Sequence, residues 1–235
     1  MTLECEGGVV VVDSLVFDRR AHPERGVALA RAAEALQEGS EALVWFLSLT
    51  GLRWGEAVAL KRSSLDLMRR RVTVSESATE VHGKLVFGSP KSHTSRVVVF
   101  PRFLADRLTD HCAGLGPEDQ VVTAPKGGYL RSANYRKTVW KPALRATGFN
   151  ENLRIHDLRA TAASLMIAAG ASIKAVQRAL GHASAKVTLD TYAGLFENDL
   201  EALADRLDER LSVANVAPVL PQEEAEVREL RTSAI

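Results

Sequence analysis

The apolar positions along the chain change period about a third of the way in, and then change again. Residues 1–25 hold no clear period, although VVVVD at 9–13 has the β-branched content of a short strand. HPERG at 22–26 reads as a turn and a helix start, with Pro23 near the first helical position. VALARAAEALQE from 27 to 38 is rich in strong helix formers and stops at Gly39. SEALVWFLSLTG opens on Ser40 as a cap residue and is apolar on nearly every side, so it predicts a buried helix that ends at Gly51. GEAVALKR adds a further short helix.

Period two then takes over. RRVTVSES near 71–77, GKLVFG near 83–88 and SRVVVF near 95–100 are short β-branched runs, punctuated by His82-Gly83 and by Gly88-Ser89-Pro90. They predict one small three-stranded antiparallel sheet, with Lys91 in the connection between its second and third strands. After Pro101 the helical pattern returns, interrupted only by VVTAPKGGYL, with helices expected near 102–113, 132–147, 157–169, 172–180 and 196–212. KVTLDTYAGL can form another. From about 213, two prolines and an acidic cluster read as a tail or linker. The fold class is therefore α+β, mostly helical with a small sheet. The expected division is an N-terminal segment at 1–25, a main domain at 26–212 and an acidic tail at 213–235.

Bulk composition narrows the setting. The 235 residues are 46% hydrophobic and 25% charged, enough for one sizeable core. No run of 18 apolar residues exists to make a transmembrane helix, and MTLECEGG lacks the basic and apolar regions of a signal peptide. Cys5 and Cys112 are the only cysteines, and two distant cysteines make no disulfide framework, so a cytoplasmic setting is expected. The formal net charge is only +1, but its distribution is uneven. Residues 50–100 carry 9 basic and 4 acidic groups and residues 126–160 carry 8 and 2, while 197–235 carry 4 and 10. A polyanion responds to that local potential rather than to the sum.

The candidate chemistry lies in the basic segments. Arg53 sits in TGLRWGE, with Glu56 three residues on as a partner that can orient it. HDLRAT places His156 and Arg159 on one face at a helix start, which Asp157 can cap. LGHAS puts His182 just past a helix end, and Tyr192 follows ten residues later. Each motif alone is weak, since a lone Arg is usually ion-paired and a lone Tyr usually packs. Together they supply guanidiniums that hold phosphate and a phenol that can take a phosphoryl group covalently.

In order and spacing these segments, with Lys91 in the hairpin and GGYLRSANYRKTVWKPALRATG before HDLRAT, resemble the catalytic domain of the tyrosine recombinase (phage integrase) family. Residue by residue, the resemblance assigns Tyr192, Arg53, Lys91, His156, Arg159 and His182 to the six active-site positions; Lys84, nearby in the hairpin, reads as a solvated lysine. It implies that Tyr192 attacks a DNA phosphorus, forms a 3′-phosphotyrosyl link and frees a 5′-hydroxyl. Arg53 and Arg159 would clamp non-bridging oxygens, His156 would act as general base, Lys91 as general acid, and His182 would donate to the phosphate. A nearby cationic cluster is expected to favour the phenolate. No cofactor and no metal is implied. The implied partners are double-stranded DNA, further copies in a homotetramer and accessory DNA-bending factors, and no membrane. Two related readings stay open: a DNA-binding remnant that no longer recombines, and a type IB topoisomerase. Family members usually carry a helical domain ahead of the catalytic one, whereas about 25 residues precede the first clear helix here, so the expectation is a truncated member or a catalytic fragment.

Overall fold

The computed structural model describes residues 23–90 and 95–192, together with residues 204, 205, 207–209 and 211. The chain divides into two compact units, Met1–Phe196 and Glu197–Ile235. The described residues of the second are helical. The expected strand at 9–13, Lys91, most of the helix at 196–212 and the tail from 213 lie outside the described residues.

The first unit is built around one apolar helix. α1 (Pro23–Leu36) leads into α2 (Ser40–Thr50), in which nine of the eleven residues are buried. An apolar surface all round a helix demands neighbours on every side, and α2 packs against α1, α4 and α7. Glycines in the left-handed region bracket it, Gly39 at φ 79° and Gly51 at φ 67°. The cap is thus Gly39, and Ser40 is the first helical residue, buried, rather than the cap its side chain suggested. α3 (Trp54–Val58) follows at once.

The strands pair differently from the expected three-stranded meander. β1 (Leu65–Asp66), β2 (Arg71–Val74) and β5 (Arg96–Val99) form one antiparallel sheet in the order β1-β2-β5. β3 (Ser77–Val81) and β4 (Lys84–Gly88) form a separate hairpin between β2 and β5. In the sheet Val72 opposes Val98 with both side chains buried, while Arg71, Thr73, Val97 and Val99 are exposed, one on each side of the buried position along either strand. The hairpin turns through His82 at φ 48° and Gly83 at φ 75°, the pair of positive angles that a two-residue turn between twisted strands requires.

The remaining helices are α4 (Arg102–His111), α5 (Ser132–Tyr135), a π-helical turn at Arg136–Trp140, α6 (Lys141–Ala146), α7 (Asp157–Ala168), α8 (Ile173–Leu180) and α9 (Ala185–Tyr192). The helix expected at 132–147 is therefore present, with its middle turn widened. That turn seats Trp140, fully buried, with its indole N–H donating to the Leu153 carbonyl at 2.8 Å. A second small apolar cluster, Ala163, Val176, Leu180 and Tyr192, ties α7, α8 and α9 together.

Candidate active site

Three chain segments meet where the basic motifs fall. The first is the junction of α2 and α3. Gly51 ends α2 in the left-handed region, and Arg53 caps α3 in extended backbone. The Arg53 amide donates to Glu56 Oε2 at 2.8 Å and its Nη1 to Oε1 at 3.2 Å, so Glu56 does orient it. A quarter of the Arg53 side chain remains open to solvent, whereas the Glu56 side chain is fully enclosed.

The second segment is the start of α7. His156 occupies the cap position, and Arg159 follows one turn later, 4% exposed. Asp157 is the first helical residue rather than the cap; its carboxylate instead accepts the Arg154 amide at 2.8 Å and the Arg154 guanidinium. Arg159 Nη1 donates to the carbonyl of Gly51 and Nη2 to that of Leu180. One guanidinium therefore joins the α2 end to the α8 end. Burial, followed by repulsion from Arg53, lowers the Arg159 pKa to about 10, which leaves it charged at neutral pH.

The third segment runs from α8 into α9. Gly181 ends α8 at φ 65°, and the His182 amide closes the turn on the Gln177 carbonyl at 3.1 Å. His182 Nδ1 lies 2.9 Å from the hydroxyl of Thr188, which is fully buried on α9. One turn beyond Thr188, the Tyr192 ring lies parallel to the His182 ring, with centroids 6.5 Å apart and planes at 9°.

Electrostatics connects the three. Burial, then the charges of Arg159, Arg53 and Arg96, pushes the His182 pKa down to about 4. Burial and Arg159 likewise lower that of His156. Both imidazoles are thus neutral at pH 7. Tyr192 departs from expectation. Arg159 does pull toward the phenolate, but burial outweighs it and raises the phenol pKa above its usual value. The resting hydroxyl is protonated, and its proton must leave as it reacts.

Five of the six expected residues are brought together: Arg53, His156, Arg159, His182 and Tyr192. Lys91 lies outside the described residues, and Lys84 opens β4 as an exposed hairpin residue. Three groups had no signal in the sequence. Arg96 meets Glu56 with two nitrogens at 2.8 and 2.7 Å, Thr188 holds His182, and Gln177 Nε2 donates to the His182 carbonyl at 3.1 Å. Each is defined by a partner across the fold or across a turn, not by its neighbours in a motif. Among the described residues, no group of three or more His, Cys, Asp or Glu could hold a metal ion.

A profile of the phage integrase family matches residues 23–198, a range that holds every one of these groups. The chain belongs to that family. The integrase of Mycobacterium phage L5 is 30% identical over 217 residues, covering 84% of this chain and 58% of its own length. The integrase of Mycobacterium phage D29 is 28% identical over 228 residues, covering 88% and 59%. The chain thus spans less than two thirds of either relative. Among solved structures, the Tn1549 transposon integrase in complex with circular intermediate DNA superposes with a TM-score of 0.65 at 19% identity, covering 79% of this chain and 66% of that one. The catalytic domain of bacteriophage HP1 integrase gives 0.54 at 18%, covering 83% and 96%. These likenesses show the fold: the helices and small antiparallel sheets described above are those of integrase and recombinase catalytic domains. No helix among the described residues is long and apolar enough to cross a membrane.

Proposed function

We propose that this integrase-family chain is the catalytic part of a site-specific DNA recombinase, which cuts and rejoins DNA through a 3′-phosphotyrosine at Tyr192. The observation that carries the reading is the bridge made by Arg159. It spans the Gly51 and Leu180 carbonyls with two of its five N–H groups, next to Arg53, and its charge reaches the Tyr192 phenol. Two guanidiniums and a tyrosine oxygen grouped through Arg159 suit a phosphodiester whose negative charge grows as it is attacked.

The step balances without an external energy source. The Tyr192 oxygen forms a bond to phosphorus as its proton passes to a neutral imidazole, for which His156 is the candidate. The bond from phosphorus to the 5′-oxygen breaks, and Lys91 is the candidate that protonates that oxygen. The energy of the broken ester stays in the phosphotyrosyl link, so a 5′-hydroxyl from another strand can reverse the step and exchange the strands. Arg53 and Arg159 hold the non-bridging oxygens, and His182, whose Nδ1 faces Thr188, donates to the phosphate from Nε2.

The partner is double-stranded DNA, with exchange carried out by four copies on two duplexes and accessory DNA-bending proteins shaping the site. The exposed basic side chains Arg136, Lys137 and Lys141 on the helical stretch before α7 favour such a partner. So does the DNA bound in the Tn1549 integrase and XerH recombinase structures. The test is covalent capture. The chain is mixed with nicked duplexes of random flanking sequence, denatured, and probed for protein-linked DNA. The wild type yields an adduct, and Tyr192→Phe binds DNA but yields none. Binding without an adduct in the wild type would instead identify a DNA-binding remnant. Relaxation of supercoiled plasmid with no strand exchange between duplexes would identify a topoisomerase.

A further inference from the structure

Arg96 opens β5, five residues past Lys91, and makes three hydrogen bonds to two partners. Its Nη1 and Nη2 donate to the two oxygens of Glu56 at 2.8 and 2.7 Å, and its Nε donates to the Ala179 carbonyl at 2.9 Å. Only 9% of the side chain is exposed. Each contact leads to a different part of the candidate site. Glu56 also receives the Arg53 amide and guanidinium. Ala179 lies in the last turn of α8, beside the Leu180 carbonyl that receives Arg159 and just ahead of Gly181 and His182. The packing there is close: a Cβ at Gly181 would stand 3.1 Å from the Cδ, Nε and Cζ atoms of Arg96. β5 itself continues from the segment that contains Lys91.

We infer that Arg96 is a positioning residue, which acts through Glu56 and the end of α8 to fix Arg53 and His182 around Tyr192 without itself touching DNA. The inference rests on the function proposed above. Its physical basis is that a planar guanidinium with donors at fixed angles can hold a carboxylate with one edge and a carbonyl with another, which an ammonium cannot do. It also sets the charge state of Glu56. Burial works against that carboxylate, and the hydrogen bonds and charge of Arg96, joined by Arg53, more than offset it and hold the pKa low. Without Arg96 the enclosed carboxylate takes up a proton at higher pH, and the anchor of Arg53 weakens as it does so.

The experiment uses the full chain and a nicked duplex recovered by covalent capture. Adduct formation is followed in a single turnover from pH 6 to 8.5, and binding by fluorescence anisotropy. Arg96→Gln is expected to bind within threefold of wild type and to react roughly 100-fold more slowly, the scale of a misplaced catalytic group. Its rate should fall further on the acidic side than that of wild type. Arg96→Lys keeps the charge but has a single donor nitrogen; it should recover about tenfold of the rate and the wild-type acid limb. A rate within threefold of wild type, a rate loss matched by a loss of binding, or a pH profile parallel to that of wild type would overturn the inference. Should Arg96→Gln fail to fold, Arg96→Lys decides: roughly tenfold slower with binding retained supports the role, and wild-type rate overturns it. A wild type that forms no Tyr192-dependent adduct overturns the functional reading and this inference with it. A reactive wild type beside an unimpaired Arg96→Gln overturns this inference alone.

Discussion

Gly51→Ala is a small change with two separable costs. Gly51 sits at φ 67°, where a side chain costs about 1–2 kcal/mol. The added Cβ would also stand 2.5 Å from Leu180 Cδ2 and 3.3 Å from Ala162 Cβ, both fully buried. Forcing a methyl into a filled site costs about 1–3 kcal/mol more. The total is roughly 2–5 kcal/mol, and at about 2–4 °C per kcal/mol for a chain of this size the melting temperature should drop by roughly 10 °C. Gly114→Ala is the control. Its φ is 83° and nothing lies within 4 Å of the position its Cβ would take, so it bears the backbone cost alone. Differential scanning calorimetry of wild type and both variants reads the difference. Because the Gly51 carbonyl also receives Arg159, covalent capture at a temperature where Gly51→Ala is still folded should show a further loss of rate, absent in Gly114→Ala. Equal shifts in melting temperature for the two variants would refute the claim that α2, α7 and α8 meet in close contact at Gly51.

Other consequences can be checked in the same assays. Arg159→Lys loses the fork that holds two carbonyls, and cleavage should fall roughly 10²–10³-fold while duplex binding changes little; an unchanged rate would remove Arg159 from the site. His182 has a folded-state pKa of about 4, below its ordinary value of 6.5. Above pH 6.5 it is neutral in both states; between 6.5 and 4 the unfolded chain binds the proton more readily, so stability is lost as pH falls through that window. The melting temperature of wild type should therefore drop more from pH 7.5 to 5 than that of His182→Gln, and equal drops would contradict the burial of a neutral imidazole. Thr188→Val keeps the shape of a fully buried side chain but removes the hydroxyl from His182 Nδ1; it should cost about 1 kcal/mol of stability and slow cleavage, and normal stability and rate would show that the contact holds nothing in place.

The parts legible in the sequence are those decided by neighbours along the chain. α2 announces itself by an unbroken apolar run and a terminal Gly51; α8 by its periodic pattern and Gly181; the hairpin turn by His82-Gly83. Pairing was not legible. Period two identifies a strand but not its partner, and β2 takes β5 across an intervening hairpin that forms its own sheet. The same limit applies at the site. Arg53, His156, Arg159, His182 and Tyr192 fall in motifs, whereas Arg96 gains its role only by reaching Glu56 forty residues away, and Thr188 only because α9 turns back on His182. The raised pKa of Tyr192 was hidden for a related reason. Counting cations near a phenol predicts an easier ionisation, but burial depends on packing among Ala163, Val176 and Leu180.

The central claim is that Tyr192 takes the DNA phosphoryl group. The most direct measurement is tandem mass spectrometry of the captured adduct after nuclease and protease digestion. The expected product is a nucleotide joined through its 3′-phosphate to Tyr192, in the peptide that follows Lys186, with the released DNA end bearing a 5′-hydroxyl. A nucleotide on any other residue, such as Tyr129 or Tyr135, or a link through a 5′-phosphate, would contradict it.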